Sequence, residues 1–111
     1  LKVRWFGDET NLHSVWDSRL IDSRNLSYTE HARWLGRDID PSETIAWWTA
    51  DPQIWIAEST SIRDRIYPTS NQAIPSLGYA YQYEHLGTAE IRLQQGGVRL
   101  GAYLDQVFAY R

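Results

Sequence analysis

Hydrophobic residues first alternate with polar ones and then recur every three or four positions, which separates two kinds of element along the chain. In the opening LKVRWFG, Val3 and Trp5 alternate with basic residues, and this period predicts a short extended segment within residues 1–6. The following DETN is interpreted as a polar turn that starts a helix near Asn11 or Leu12. The sequence thus predicts strand only at the very start of the chain.

After residue 10 the pattern is helical. An apolar stripe on the first helix comprises Leu12, Val15, Trp16 and Leu20. The Ser-x-x-Glu sequence SYTE has the form of a capping box, and DPSE and ADPQ place proline near a first helical turn. YPTSNQAIPSLG is interpreted as a loop. The predicted helices cover residues 12–22, 28–36, 42–50, 52–66 and 79–110, which predicts an all-α fold class.

The last predicted helix contains two adjacent glycines, Gly96 and Gly97. Each should destabilise a helix interior by about 1 kcal/mol relative to alanine. A kink is one explanation, but Gly97 falls on the predicted core-facing stripe, so we favour close approach of another helix or a buried ring. The stripe itself comprises Leu86, Ala89, Leu93, Gly97, Leu100, Leu104 and Val107.

The composition narrows the possible functions. The chain has 111 residues and a formal net charge of -3, which does not favour a broad basic track for duplex nucleic acid. It has no cysteine, which excludes disulfides and thiolate zinc sites, and no apolar run near the roughly 20 residues of a membrane span. It also has no methionine, so we expect it to come from inside a longer translated chain.

Aromatic residues are more numerous than a chain of this length can hide, with six tryptophans and seven tyrosines. We therefore expect some tryptophan rings to be exposed when this chain is considered alone, and to be buried by a missing segment. The candidates are Trp5, Trp16, Trp34, Trp47, Trp48 and Trp55.

The candidate metal ligands lie on the first predicted helix. His13 and Asp17 are one turn apart there, so their side chains can reach one point in space. An imidazole and a carboxylate suit zinc, although an ordinary surface pair has the same spacing and two ligands do not complete a site. His31 is assigned to a polar helix face and His85 to a helix end, both without function. The remaining acidic residues are attributed to caps and solvated faces, namely Asp38, Asp40, Asp51, Asp64 and Glu58.

Two separated motifs resemble one family. NLHSVWDS, with VRWFG before it, is similar to a signature of the zinc-dependent, single-strand-specific nucleases typified by the fungal nucleases S-one and P-one. The closing part of the chain is similar to that family's last segment, with Tyr-Pro, Leu-Gly-Thr and then Gly-Gly-x-Arg-Leu. The middle of the chain, residues 27–65, is similar to the family only in its predicted helices and its tryptophan content.

The resemblance implies a mainly helical fold of which residues 1–111 form the C-terminal part of one nuclease domain. It implies three Zn²⁺ ions in the complete enzyme, with His13 and Asp17 binding the most loosely held one and no catalytic residue in this chain. Asn11, Trp16, Gly96 and Gly97 then have structural roles. The remaining ligands would come from an N-terminal half that this chain lacks, and that half would be its partner.

The function implied is hydrolysis of phosphodiester bonds in single-stranded DNA and RNA, with 3′-nucleotidase activity, 5′-phosphate products and a secreted or periplasmic location. A zinc-dependent phospholipase C resembles the same fold and metal cluster and remains an alternative. A non-catalytic helical interaction module, in which His13 and Asp17 are a surface pair, is the third interpretation. Metal analysis of the intact assembly separates this last interpretation from both enzymes.

Overall fold

The structure is mainly helical, as predicted, and carries a small sheet. It is a computed structural model that describes residues 1–109, so Tyr110, at the end of the last predicted helix, lies outside the described residues. We name its helices α1 to α5. They comprise residues 12–22 (α1), Tyr28–Arg37 (α2), Pro41–Trp47 (α3), Pro52–Ile66 (α4) and Tyr79–Phe108 (α5).

The sheet has three strands in the order β2-β1-β3, formed by Lys2–Trp5 (β1), Asp8–Asn11 (β2) and Ser76–Leu77 (β3). β1 and β2 are antiparallel and joined by Phe6 and Gly7, which have φ of 49° and 88°. Positive φ at both central residues is typical of the two-residue type I′ hairpin. β3 runs parallel to β1, and the Arg4 amide donates to the Pro75 carbonyl at 2.8 Å.

The prediction of strand only within residues 1–6 is therefore wrong at two places. DETN forms β2 rather than a polar turn, and the predicted loop at residues 67–78 contains β3. Neither segment has an alternating apolar run that would signal a strand, since β2 has no buried residue and β3 is only two residues long. Their pairing nevertheless satisfies backbone groups.

The helix starts follow from the sequence. Ser27 with Glu30 and Asp40 with Glu43 each form a complete capping box, in which both side chains bind the partner's amide. α3 ends at Trp47, three residues before its predicted end. The reason is that Trp48 is extended, and the next turn belongs to the start of α4, where Asp51 accepts from the Gln53 amide at 3.0 Å.

The hydrophobic core belongs to the first of two compact units, Leu1–Asn25 together with Thr60–Ala89. Val3, Val15 and Leu20 have no exposed surface. The other members of this core are Trp5, Leu12, Leu77, Tyr81 and Ala89. This arrangement confirms the buried side of the opening strand and the apolar stripe of the first helix.

The second unit, Leu26–Ser59 together with the chain from Glu90 onward, buries mostly polar side chains. Its buried described residues are His31, Glu90, Gln94, Arg99 and Ala102. His31 Nε2 lies 3.0 Å from a carboxylate oxygen of Glu90, and Gln94 donates to the Leu35 carbonyl at 3.0 Å. Polar pairing, rather than apolar burial, thus dominates the interior of this unit.

Glu58 is the centre of an ion-pair network in this second unit. It accepts from Arg92 Nη1 at 3.0 Å and from both terminal nitrogens of Arg99, with Nη2 at 2.8 Å. Hydrogen bonding by Arg99 lowers the pKa of the Glu58 carboxyl below its ordinary value. The prediction attributes Glu58 to a solvated face, and its side chain is indeed 37% exposed. What the prediction missed is that packing of α5 beside α4 supplies two guanidinium groups that pair with it.

The second half of α5 leaves its predicted core stripe exposed. Leu93, Leu100, Leu104 and Val107 are all exposed, whereas Ala89 in the first unit is buried. The prediction of a core-facing stripe is therefore wrong for the second unit as it stands here. Two tryptophans of the same unit, Trp34 and Trp48, are also exposed, which confirms the expectation that some rings would be.

The described residues contain no candidate membrane-spanning helix.

Candidate functional site

The first helix carries both predicted metal ligands, and its middle turn is wider than an α-helical turn. Asn11 is extended and accepts a hydrogen bond from the Ser14 amide at 2.8 Å, as an N-cap residue does. The α-helical turn Leu12–Ser14 is followed by a π-helical turn, Val15–Arg19. The sequence predicted a uniform α-helix here. A π turn is rare and is found frequently at functional sites, so this departure is itself a signal.

His13 and Asp17 are both exposed and line one open cavity of about 470 Å³ in the first unit. The rest of the lining comprises Leu1, Leu12, Trp16, Ile66 and Tyr67. The structure therefore brings the predicted pair to the same cavity, with the cap residue Asn11 directly before the turn that carries them.

The donor set of this cavity fits zinc in part. An imidazole nitrogen and a carboxylate oxygen are both ligand atoms that zinc prefers. Within residues 1–109, no group of three or more histidine, cysteine, aspartate or glutamate side chains could hold a metal ion. His13 and Asp17 would thus need a further ligand from outside the described residues, and their role as metal ligands stays a prediction.

Trp16 lies between the two ligand positions and is tied to the core by a hydrogen-bonded chain. Its indole Nε1 donates to the Tyr81 hydroxyl at 2.8 Å, and that hydroxyl donates to the Ile66 carbonyl at 2.6 Å. Burial raises the pKa of the Tyr81 hydroxyl, so it remains protonated and can accept and donate at once. The turn that carries Asp17 is thereby connected to the end of α4 and the start of α5.

His85 fills the space behind Trp16 and Tyr81, with ring centroids 5.7 Å and 4.3 Å away. Burial lowers the pKa of its imidazole, with a smaller opposing effect from Glu84. The prediction places His85 near a helix end, and it lies in the second turn of α5, which begins at Tyr79. What the prediction missed is that His85 is buried. It is a packed core residue that only the fold reveals.

The prediction for His31 also differs from the structure. We assigned it to a polar helix face, but it is buried and paired with Glu90, which lies 59 residues away in the chain. The signal that was available, a histidine inside a helix of mixed character, does not identify a partner so distant in sequence.

The glycine pair has no close neighbour to explain it. A Cβ atom built on Gly96 or Gly97 meets nothing within 4 Å among the described residues. The expected close approach of another helix or ring is therefore absent from this part of the protein. Both glycines lie inside the continuous helix α5, and Gly96 lines a separate cavity of about 320 Å³ in the second unit.

Comparison with known proteins identifies the class to which this chain belongs. Residues 1–109 match the family described as S1/P1 nuclease. The chain therefore belongs to the S1/P1 nuclease family, which confirms the resemblance drawn from NLHSVWDS and the closing helix.

Among curated proteins the chain is similar to plant endonucleases. It is 31% identical to Endonuclease 3 of Arabidopsis thaliana, over 98% of this chain and 42% of that protein. It is 30% identical to Endonuclease 4 of the same plant, over 98% of this chain and 41% of that protein. The chain thus spans about two fifths of the length of the curated relatives it matches.

Proposed function

We propose that the complete protein to which this chain contributes is a zinc-dependent endonuclease and 3′-nucleotidase. Its substrates are single-stranded DNA and RNA, and its products carry 5′-phosphates. The observation that carries this proposal is the joint lining of one cavity by His13 and Asp17 in a chain that matches the S1/P1 nuclease family over residues 1–109.

The chain's own residues suit one edge of a phosphate site. His13 and Asp17 are exposed on successive turns, so they can hold an ion at the cavity without burying either group. When bound there, zinc supplies positive charge beside the phosphate and the departing 3′-oxygen. Tyr67 is exposed at the same cavity and offers a flat ring against which an unstacked base can pack. Such stacking favours single strands, because a base in a duplex is already stacked.

The proposal is tested with the intact protein, including the polypeptide upstream of Leu1. Purified protein should contain zinc, and it should cleave single-stranded DNA faster than duplex DNA and leave 5′-phosphate ends. Chelation should abolish the cleavage and added Zn²⁺ should restore it. Hydrolysis of phosphatidylcholine without DNA cleavage would instead identify a phospholipase C, and a zinc-free, inactive protein would identify an interaction module.

The proposed partner of this chain is the N-terminal half of the same protein. Support comes from the second unit, whose interior is polar and whose large apolar side chains are exposed. Beside the exposed stripe of α5 lies the cavity of about 320 Å³, where Trp55, Leu100 and Tyr103 contribute apolar surface. The guanidinium groups of Arg92 and Arg99 at this cavity are already bound by Glu58, so the cavity does not offer a free site for an anion. An apolar segment is the occupant that this chemistry favours.

Truncation of the exposed stripe tests this partnership. In the intact protein we expect Leu100→Ala and Leu104→Ala each to reduce the free energy of unfolding by about 2–4 kcal/mol, as for buried leucines. Urea denaturation at equilibrium measures the change. Asp105→Ala, on the same helix and exposed, is the control and should stay within about 0.5 kcal/mol. If both leucine variants behave like the control, the stripe is solvent-exposed in the intact protein and the proposed partner does not cover it.

A further inference from the structure

We propose that Tyr81 is a positioning residue for the metal-binding turn, acting through its hydrogen bond with Trp16. The inference rests on the proposed function, in which His13 and Asp17 hold a zinc ion. It assigns to the opening of α5 a role in metal affinity, although Tyr81 itself does not line the cavity that His13 and Asp17 share.

The element that Tyr81 positions is the π turn, which contains the proposed ligand Asp17. The π turn Val15–Arg19 departs from the backbone pattern that dominates helices, so its side chains point in directions that a uniform α-helix would not give them. Val15 is fully buried, and Trp16 is the last residue before Asp17 with a contact to the core. Asp17 and Ser18, which follow, are exposed. The direction of the Asp17 carboxylate thus depends on how Trp16 is held.

The Trp16 side chain packs against the core, and its one polar atom also forms a hydrogen bond. Its Nε1 donates to the Tyr81 hydroxyl at 2.8 Å, and the hydroxyl is itself fixed by donating to the Ile66 carbonyl at 2.6 Å. The Tyr81 ring is buried, packs at 88° to Trp5 and lies 4.3 Å from the His85 ring, so it has little freedom to follow a moving indole. A fixed hydroxyl can therefore set the rotation of the turn that carries Asp17.

The chain of contacts also reaches the cavity from its other side. Ile66, whose carbonyl accepts from Tyr81, lines the cavity together with Tyr67. Tyr81 consequently connects the turn that carries the proposed ligands with the end of α4 across the same cavity. Loss of its hydroxyl would loosen both walls without removing a ligand.

Tyr81→Phe in the intact protein tests the inference, because it keeps the ring and removes only the hydroxyl. Groups that orient a metal ligand directly are worth about 10–100-fold in affinity, and an effect relayed through Trp16 should be smaller, about 3–10-fold. We expect the most loosely held zinc to bind that much more weakly in competition with a chromophoric chelator. Trp16→Phe should weaken it similarly, and the double variant should be no weaker than the poorer single one.

Tyr83→Phe is the matched control, since Tyr83 lies two residues further along the same helix and is 93% exposed. It should leave zinc affinity unchanged. A lowered melting temperature in Tyr81→Phe with wild-type zinc affinity in the folded protein would overturn the inference, because Tyr81 would then only stabilise the core.

The His13→Ala variant separates this inference from the proposed function. If His13→Ala loses one zinc while Tyr81→Phe binds zinc as the wild type does, only the positioning role fails. If His13→Ala keeps every zinc ion, the assignment of the metal site fails, and the positioning role fails with it.

Discussion

Under the proposed function, Asp17→Asn in the intact protein is expected to remove the most loosely held zinc ion and most of the phosphodiesterase activity. An asparagine cannot supply the negative charge of the carboxylate that, with His13, lines the cavity. Stabilisation of transition-state charge by a metal ion is worth several kcal/mol, so the rate should fall about 10²- to 10³-fold. Zinc content by atomic emission and cleavage of single-stranded DNA measure the two effects, and His13→Ala should give the same result.

The stability of the metal-free protein should change little in these variants, because both side chains are exposed and substitutions at such positions usually stay within about 0.5 kcal/mol. Asp22→Asn is the control, since it removes an exposed carboxylate from the same helix. His31→Ala should also keep zinc and the rate per folded molecule, but His31 is buried, so it is a poor control for stability. His85→Ala is not a control for zinc binding, because the His85 ring packs against Trp16 and Tyr81. An Asp17→Asn enzyme with three zinc ions and wild-type cleavage would rule out the assignment.

The second prediction with a large expected effect is a loss in the free energy of unfolding when Glu58 is replaced. Glu58→Gln keeps the size of the side chain but removes the charge that pairs with Arg99, whose side chain is only 6% exposed. A fully buried pair loses about 3–5 kcal/mol when one partner is removed, and Glu58 is 37% exposed, so we expect about 2–3 kcal/mol. Urea denaturation of the intact protein at pH 7 measures the loss.

The same pair predicts how the loss depends on pH. Hydrogen bonding by Arg99, opposed by burial, lowers the pKa of Glu58 below its ordinary value of 4.5 in the folded protein. The stabilisation is therefore fully present above about pH 4.5 and disappears as pH falls through the lower, folded pKa. Glu58→Gln lacks this contribution at every pH, so its difference from the wild type should shrink below pH 4.5.

Asp64→Asn provides the comparison for Glu58→Gln on the same helix. Asp64 lies 3.8 Å from Arg63, and both side chains are largely exposed. Exposed pairs contribute about 0–1 kcal/mol, so this variant should be close to the wild type. Equal losses in the two variants would show that burial of Arg99 does not strengthen the Glu58 pair.

The cavity pair illustrates what local sequence can establish. His13 and Asp17 are four residues apart on one helix, so their arrival at one cavity requires only local geometry, and NLHSVWDS signals it directly. The helix starts are equally local, because each capping box lies within four consecutive residues. These features depend on interactions whose partners are close in the chain.

The polar contacts that the sequence did not predict join residues far apart in the chain. His31 pairs with Glu90 across 59 positions, Glu58 with Arg99 across 41, and Trp16 with Tyr81 across 65. Each is a polar contact that packing of α5 creates, and no periodicity encodes which residue it will meet. The strand β3 is similar, since two residues far from β1 add to its edge through backbone groups.

The hydrophobic pattern determined that the chain is mainly helical, which faces of its first elements are buried, and where His13 and Asp17 lie, because these depend on spacing along the backbone. Only the tertiary structure decided that His31 and His85 are buried, that Glu58 pairs with Arg92 and Arg99, and that Trp16 is held by Tyr81. It also showed that the apolar stripe of α5 is exposed in this chain. Periodicity shows which residues share a face, whereas burial depends on what packs against that face.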